Sequence, residues 1–288
     1  MYQGADIGIT CMANKDDIKT MKLYSNVDRI YNELKNAGYK EDDALKVNVL
    51  NKFDNYHYHG VQAVDTAAQL LDIGSESRVL DVGSGLGGPA RYIAQHYNCE
   101  VTAVELQDDV NRTAKDLTER CGLGDKVHHV VGDFMSMEPG EDKFDVIVSW
   151  LVFLHIPDKR RLLQQCYDHL KPGGKIYIED LYAKGHFSKS ELDDLKCGVF
   201  CENLPSYSEY LNVCTQAGFY EIRMTELTND WAVYCSQRYD NYVKQKERHV
   251  SVHNEQIYQE QKYFFDTMNK LFNGQNLGGC RIMATKPS

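Results

Sequence analysis

The chain has 288 residues, 42% hydrophobic and 26% charged, an ordinary globular composition with enough length for a large core. Its 32 basic against 42 acidic residues give a net charge of −10, which disfavours a partner tracked phosphate by phosphate, so no nucleic acid is expected. The longest apolar run, 146–156, is interrupted by Ser149 and His155 and is too short for a bilayer; no secretory pattern opens the chain, and its nine cysteines form no CxxC pair, so reduced thiols in a cytoplasmic protein without stable membrane insertion are expected.

Residues 1–20 are polar and aperiodic and read as a flexible arm. From 23 to 34, Val27, Ile30, Tyr31 and Leu34 recur at helical spacing until Asn36-Ala37-Gly38. A second helix is predicted over 41–53, with Leu45, Val49 and Phe53 on one face. Together, 21–60 are expected to form an N-terminal helical lid. The run YHYHG at 56–60 sets His57 and His59 on one side of an extended segment without a third ligand, so it reads as an entrance loop and no metal is expected. A helix over 61–72, with Ala63, Ala67, Leu70 and Leu71 inward, then opens a core expected to run from 61 to 228.

Residues 78–133 organise that core. Val79, Leu80 and Val82 form a buried strand, and Gly83, Ser84, Gly85, Leu86, Gly87 and Gly88 turn the chain into a helix whose free N–H groups face the turn. Glu105 closes the second strand roughly 20 residues on, where a carboxylate accepts from both hydroxyls of a ribose. Asp133 ends the third. By spacing alone Gly83, Gly85 and Gly88 also satisfy the GxGxxG pattern of dinucleotide-binding folds. Asp81, directly ahead of the turn, would crowd a pyrophosphate but suits an ammonium, and Asp133 is placed to accept from an adenine amino group. S-adenosylmethionine has an ammonium, a ribose and an adenine, and no phosphate.

A fully buried fourth strand is predicted from Phe144 through Phe153, a helix from Pro157 through Leu170, and a fifth strand over 175–182 after Lys171-Pro172-Gly173-Gly174. A helix over 208–217 and a sixth strand over 221–227 follow, and the last strand begins at Cys280. Between them, 229–278 read as a helical insert over the active site, with helices at 231–249 and 254–272, leaving 279–288 for the last strand of the core sheet. The insert is rich in aromatic residues, and Lys244, Lys246, Arg248 and His249 cluster in it as a solvated face or an anion contact.

In this order VLDVGSGLGG, AVEL, GDF, FDVIVSWLVFLH and HLKPGGKIYIED resemble the class I S-adenosylmethionine-dependent methyltransferases over roughly residues 55–228. The resemblance implies an α/β fold, a Rossmann-like doubly wound seven-stranded sheet ordered 3-2-1-4-5-7-6 with an antiparallel last strand. It narrows to the small-molecule group that includes phosphoethanolamine, sarcosine/dimethylglycine and sterol methyltransferases, carried by YHYHG, by GSGLGGPARY and by a histidine after strand four. His155 is then the expected catalytic base, at the edge where open α/β sheets place ligands. In the phosphoethanolamine enzymes a lid tyrosine pairs with that histidine; counting back from Gly60 by the family's spacing lands on Tyr39.

The cofactor is assigned to Tyr58, His59, Asp81, Gly83, Gly85, Gly87, Glu105, Leu106, Gly132, Asp133, Phe134 and Ser149, and the substrate pocket to Trp150, Leu151, Tyr182, Trp231 and Tyr234. Two departures separate the chain from the phosphoethanolamine enzymes. Trp150-Leu151 stand where those enzymes carry an acid, and Val199, Phe200, Cys201 and Glu202 where they carry a phosphate-binding arginine and tyrosine. The expected activity is N-methylation of a small amine or amino acid, the pocket taking a neutral or anionic acceptor. The alternatives are S-methylation of a thio acid, C-methylation of a sterol-like lipid, or cofactor binding without turnover. No feature decides between a monomer and a homodimer.

Overall fold

A computed structural model describes residues 26–288; the arm predicted over 1–20 lies outside them. Helices α1 (Asp28–Asn36), α2 (Val47–Leu50) and α3 (Val61–Leu70) precede a run of alternating elements: β1 (Arg78–Val82), α4 (Gly88–Tyr97), β2 (Glu100–Glu105), α5 (Asp108–Arg120), β3 (Val127–Val131), β4 (Phe144–Trp150), α6 (Lys159–His169) and β5 (Leu170–Ala183). Then come α7 (Lys189–Gly198), α8 (Tyr207–Gln216), β6 (Tyr220–Glu226), α9 (Thr228–Lys244), α10 (Lys246–Val252), α11 (Glu255–Asn273) and β7 (Leu277–Thr285). The seven strands form one sheet in the order β3-β2-β1-β4-β5-β7-β6. Strand β7 lies antiparallel between β5 and β6, and the register from β3 to β5 is parallel. The expected fold is therefore present down to the strand order.

The sheet is buried on both faces, as parallel strands require. Along β1, Val79 joins Ala67, Ala90 and Ile93 of α3 and α4 on one face. Its neighbour Leu80 joins Leu162, Leu163 and Tyr210 of α6 and α8 on the other. Ile30 and Leu34 of α1 pack with Leu45 and Leu50 against Val110 and Leu117 of α5.

Several element boundaries differ from the sequence reading, each for a visible reason. The predicted helix over 41–53 shrinks to α2, because Asp43 accepts from the Lys40 N–H in a turn and Arg120 claims the carbonyls of Lys40 and Asp43. Strand β4 stops at Trp150, and residues 153–155 form a 3-10 turn instead of a continuing strand. Strand β5 begins at Leu170, since the Pro172-Gly173-Gly174 bend stays bonded to the chain end through Gly173 N–H to the Lys286 carbonyl at 3.0 Å. Helix α7 was not read from the sequence, although Ser188 and Glu191 cap it reciprocally in an S-x-x-E box. The insert has three helices where two were predicted, broken at Gln245. Among the described residues, seven cysteines are free. Among the described residues no helix is long and apolar enough to cross a membrane.

Candidate active site

The carboxyl edge of the sheet opens into a cavity enclosing about 1400 Å³, its mouth included. Asp81 and Val82 reach it from β1, Glu105 from β2, Gly132 and Asp133 from beyond β3, Trp150 from β4 and Leu181 from β5. This is the edge at which open α/β sheets carry their ligands.

The glycine turn is shaped by what packs around it. Gly83 takes φ 74°, and a Cβ there would run into the Val152 side chain. Gly85 takes φ 52° and donates its N–H to Glu105 Oε2 at 2.9 Å, while Gln107 N–H reaches Oε1 at 3.0 Å. The Glu105 carboxylate is thus fixed in orientation by backbone donors, with lone pairs left on both oxygens. Asp81 is 1% exposed and its Oδ2 has no hydrogen-bond partner. Burial, reinforced by the neighbouring Glu105 charge, pushes its carboxyl up to about 8. A carboxyl held this way on a cavity wall is matched by a cationic group, which would restore its ordinary ionisation.

A loop ahead of α3 forms the opposite wall. Arg91, on α4, is completely buried and pairs with Asp54 at 2.8 Å, while the same guanidinium donates to the Leu86 carbonyl at 2.6 Å. A Cβ on Gly88 would meet Asn55 Oδ1 at 2.6 Å and Asp54 at 2.9 Å, so glycine there lets the loop seat on the turn. Removing one partner of so buried a pair costs about 3–5 kcal/mol, which explains the arginine following the glycines. Beyond the clamp, Tyr56, His57 and Tyr58 line the cavity. The His57 ring lies 5.5 Å from that of Trp150, and its Nε2 donates to the Gly60 carbonyl at 3.0 Å.

His155 sits on the 3-10 turn Phe153–His155 beyond β4. Two buried charges hold that turn: Asp180 accepts from the Leu154 N–H at 3.0 Å, and Lys159 Nζ donates to the carbonyls of Phe153 at 2.8 Å and Ile156 at 2.6 Å. Asp180 is itself fixed by the Tyr210 hydroxyl at 2.6 Å. His155 Nδ1 lies 3.1 Å from the Phe200 carbonyl, which can only accept, so Nδ1 carries the proton and Nε2 is the acceptor nitrogen. Burial pushes the imidazole down to about 4 against that bond, and the Lys159 ammonium adds to the effect. The ring is neutral at physiological pH. Chemically the cavity offers a cation site at Asp81, a carboxylate acceptor at Glu105 and a neutral imidazole base at His155, the last amid Trp150, Leu154, Leu181, Val199, Phe264 and Met268.

Of the residues assigned from sequence, Tyr58, Asp81, Gly83, Gly85, Glu105, Leu106, Gly132, Asp133, Phe134, Trp150, Leu151 and His155 line this cavity. Seven others are placed elsewhere. Tyr39 packs with Ile30, Leu34 and Leu117 and is not brought to His155, because α1 and its linker lie against α5. His59 turns outward to Asp230 at 2.7 Å. Gly87 lies under the turn, where a Cβ would meet Arg91 and His129 at 2.9 Å. Ser149 donates to the Val82 carbonyl at 2.9 Å between β4 and β1. Tyr182 and Trp231 lie over Gly278 and Gly279 of β7, and the Tyr234 ring sits tilted between Tyr58 and His59, at 5.4 and 4.7 Å. The sequence reading missed His57, Asp54, Phe264 and Met268; Phe264 was visible within the aromatic run of the insert, whereas Met268 carries no signal of its own. It also missed a trio, Glu33 with His249 and His253, that gathers ligand-type groups, the two histidines one helical turn apart.

Residues 79–174 match the sequence family described as a methyltransferase domain. The chain is 31% identical over 167 residues to a glycine/sarcosine/dimethylglycine N-methyltransferase of Actinopolyspora halophila, a match covering 58% of this chain and 30% of that protein. It is 29% identical over 245 residues to phosphoethanolamine N-methyltransferase 3 of Arabidopsis thaliana, covering 83% of this chain and 48% of that one. Among solved structures, a phosphoethanolamine N-methyltransferase 2 of Haemonchus contortus, in complex with phosphomonomethylethanolamine and S-adenosylhomocysteine, superposes with a TM-score of 0.80 at 18% identity, covering 96% of this chain and 61% of that chain. The chain thus spans less than half the length of the two curated relatives.

Proposed function

We propose that this chain, whose residues 79–174 match a methyltransferase domain, transfers the methyl group of S-adenosylmethionine to a small-molecule acceptor, an amine or amino-acid nitrogen before others. The observation that carries the reading is Asp81, a buried and unpartnered carboxyl at the glycine turn beside a Glu105 already oriented by the Gly85 N–H. A cationic group relieves the first and ribose hydroxyls suit the second, a combination that a dinucleotide pyrophosphate does not match. Asp81 would hold the amino group, Glu105 the ribose, and Asp133 the adenine end. The sulfonium supplies an activated methyl for in-line displacement.

What remains for the protein is to position the acceptor, exclude water and remove a proton. Leu154, Leu181, Val199, Phe264 and Met268 make the acceptor end apolar. His155 Nε2 is the acceptor nitrogen of a neutral ring and takes the proton that frees the nucleophile's lone pair. Among the described lining residues there is no lysine or arginine, which supports an acceptor without a phosphate. The same apolar wall favours C-methylation of a sterol-like lipid as the second reading. Adenosylhomocysteine release, screened over amines, amino acids, thio acids, sterol-like lipids and phosphobases, tests both. Turnover of small amines or amino acids alone supports the first reading; turnover confined to phosphobases overturns the acceptor assignment, and cofactor binding without release under any acceptor overturns the enzyme.

A further inference from the structure

A second cavity, enclosing about 1080 Å³ with its mouth included, shares Tyr56 with the first and lies between α1, the loop before α3 and the insert helices α9 to α11. Its walls include three cations from three segments, Arg29, Lys52 and Arg238. The carboxylate among them, Glu33, is already neutralised. Arg248 donates to both of its oxygens and His253 Nε2 lies 3.1 Å from Oε1. Burial opposes ionisation there, but these bonds hold Glu33 down to about 2. The trio of Glu33, His249 and His253 is therefore charge-matched by a guanidinium, and the remaining wall is positive.

Two of the unmet hydrogen bonds on this wall are donors, beside an unmet acceptor at Asn55 Oδ1 and the unmet His253 Nδ1. Gln261, 3% exposed, accepts the Tyr242 hydroxyl on Oε1 at 2.8 Å and leaves its Nε2 donor without a partner. Arg29 donates through Nη2 to the Tyr56 hydroxyl, while its buried Nε has no partner. A buried donor left without an acceptor costs about 1–3 kcal/mol, and a ligand made of acceptor oxygens would remove that penalty at both sites. We propose that this second cavity is a binding site for a small oxyanion, a phosphate or carboxylate group, held by the charges of Arg29, Lys52 and Arg238 and by the amide of Gln261.

Tyr56 belongs to the walls of both cavities, with Arg29 on its hydroxyl and Arg238 Nη1 on its carbonyl at 3.0 Å. An anion drawing on those guanidiniums is thus sensed at the edge of the first cavity.

Calorimetric titration of the full chain with inorganic phosphate, with and without saturating adenosylhomocysteine, tests the site. Saturable one-to-one binding is expected in both cases. Lys52→Glu, at an exposed position where folding is not at issue, should weaken it at least tenfold, and Gln261→Leu should weaken it several-fold. His155→Ala should leave it unchanged. Absence of saturable heat, an affinity indifferent to Lys52→Glu, or binding lost in His155→Ala would overturn the proposal, the last by placing phosphate in the first cavity. None of these readouts requires methyl transfer, so failure here is separable from failure of the proposed activity.

Discussion

Two buried aspartates stand near the carboxyl edge of the same sheet, and they are finished differently. Asp180, on β5, has its oxygens taken by the Leu154 N–H and the Tyr210 hydroxyl, with the Lys159 ammonium nearby. Asp81, on β1, is as deeply buried and keeps an oxygen unpartnered against a neighbouring carboxylate. A folded chain satisfies nearly all of its buried polar atoms. The satisfied aspartate is therefore part of the frame, here the frame of the His155 turn, and under the proposed function the unsatisfied one is where a cationic ligand would complete the protein. The edge divides accordingly into a β1–β3 half that awaits charge and hydrogen bonds, and a β4–β5 half that presents one base among apolar walls.

The largest effect is expected in the second half. His155→Ala should lower kcat by about 10²–10⁴-fold, the usual contribution of a positioned base, with cofactor affinity unchanged in calorimetry; full activity would reduce His155 to a packing residue and erase the division. The pH profile adds a sign. Because the imidazole is held near 4, the ring is competent above that value and is lost by protonation below it. The acid limb attributable to His155 should fall near pH 4, well below an ordinary histidine's.

In the first half, Glu105→Ala removes the acceptor of two ribose hydroxyls at about 1.5 kcal/mol or more each, so cofactor affinity should fall by about 100-fold or more with the acceptor's KM little changed. Unchanged affinity would detach the ribose from Glu105. Asp81→Asn removes one charge-assisted bond, a loss of about 10–100-fold. A pH dependence accompanies it. With the empty-state carboxyl near 8, a cation binds only after the proton leaves, so wild-type affinity should rise with pH up to about 8 and then level, with proton release visible as buffer-dependent heat. Asp81→Asn should abolish that slope. A slope that persists assigns the proton to another group.

Legibility in the sequence followed the same division. The glycine turn and the acids at the strand ends were readable because each is a local pattern tied to a backbone requirement, such as the positive φ of Gly83 and Gly85, while the strand order came from the family resemblance. The acceptor wall was not, because its residues are joined only by folding: Leu181 from β5, Val199 from the end of α7, and Phe264 and Met268 from one face of α11. Tyr39 shows the limit of counting along a family's spacing, since Arg120 holds the turn after it on α5 through the carbonyls of Lys40 and Asp43. His57 and His59 were indistinguishable in YHYHG, and the positive φ of His59 and Gly60 decides which one turns inward.

Tyr182 gives the smallest and most discriminating test of where the acceptor half ends. From sequence it belongs to the substrate pocket; in the fold its ring lies against Gly278, and its hydroxyl donates to Glu226 at 3.0 Å. If that is its role, Tyr182→Phe removes one partly buried hydrogen bond and should cost about 1 kcal/mol of stability, read as a small drop in Tm. Both kcat and KM should stay within twofold, since no atom facing the first cavity changes. A KM that moves while Tm does not would carry the acceptor pocket past Leu181 to the β6–β7 side of the sheet, and the apolar wall described above would then be only its near end.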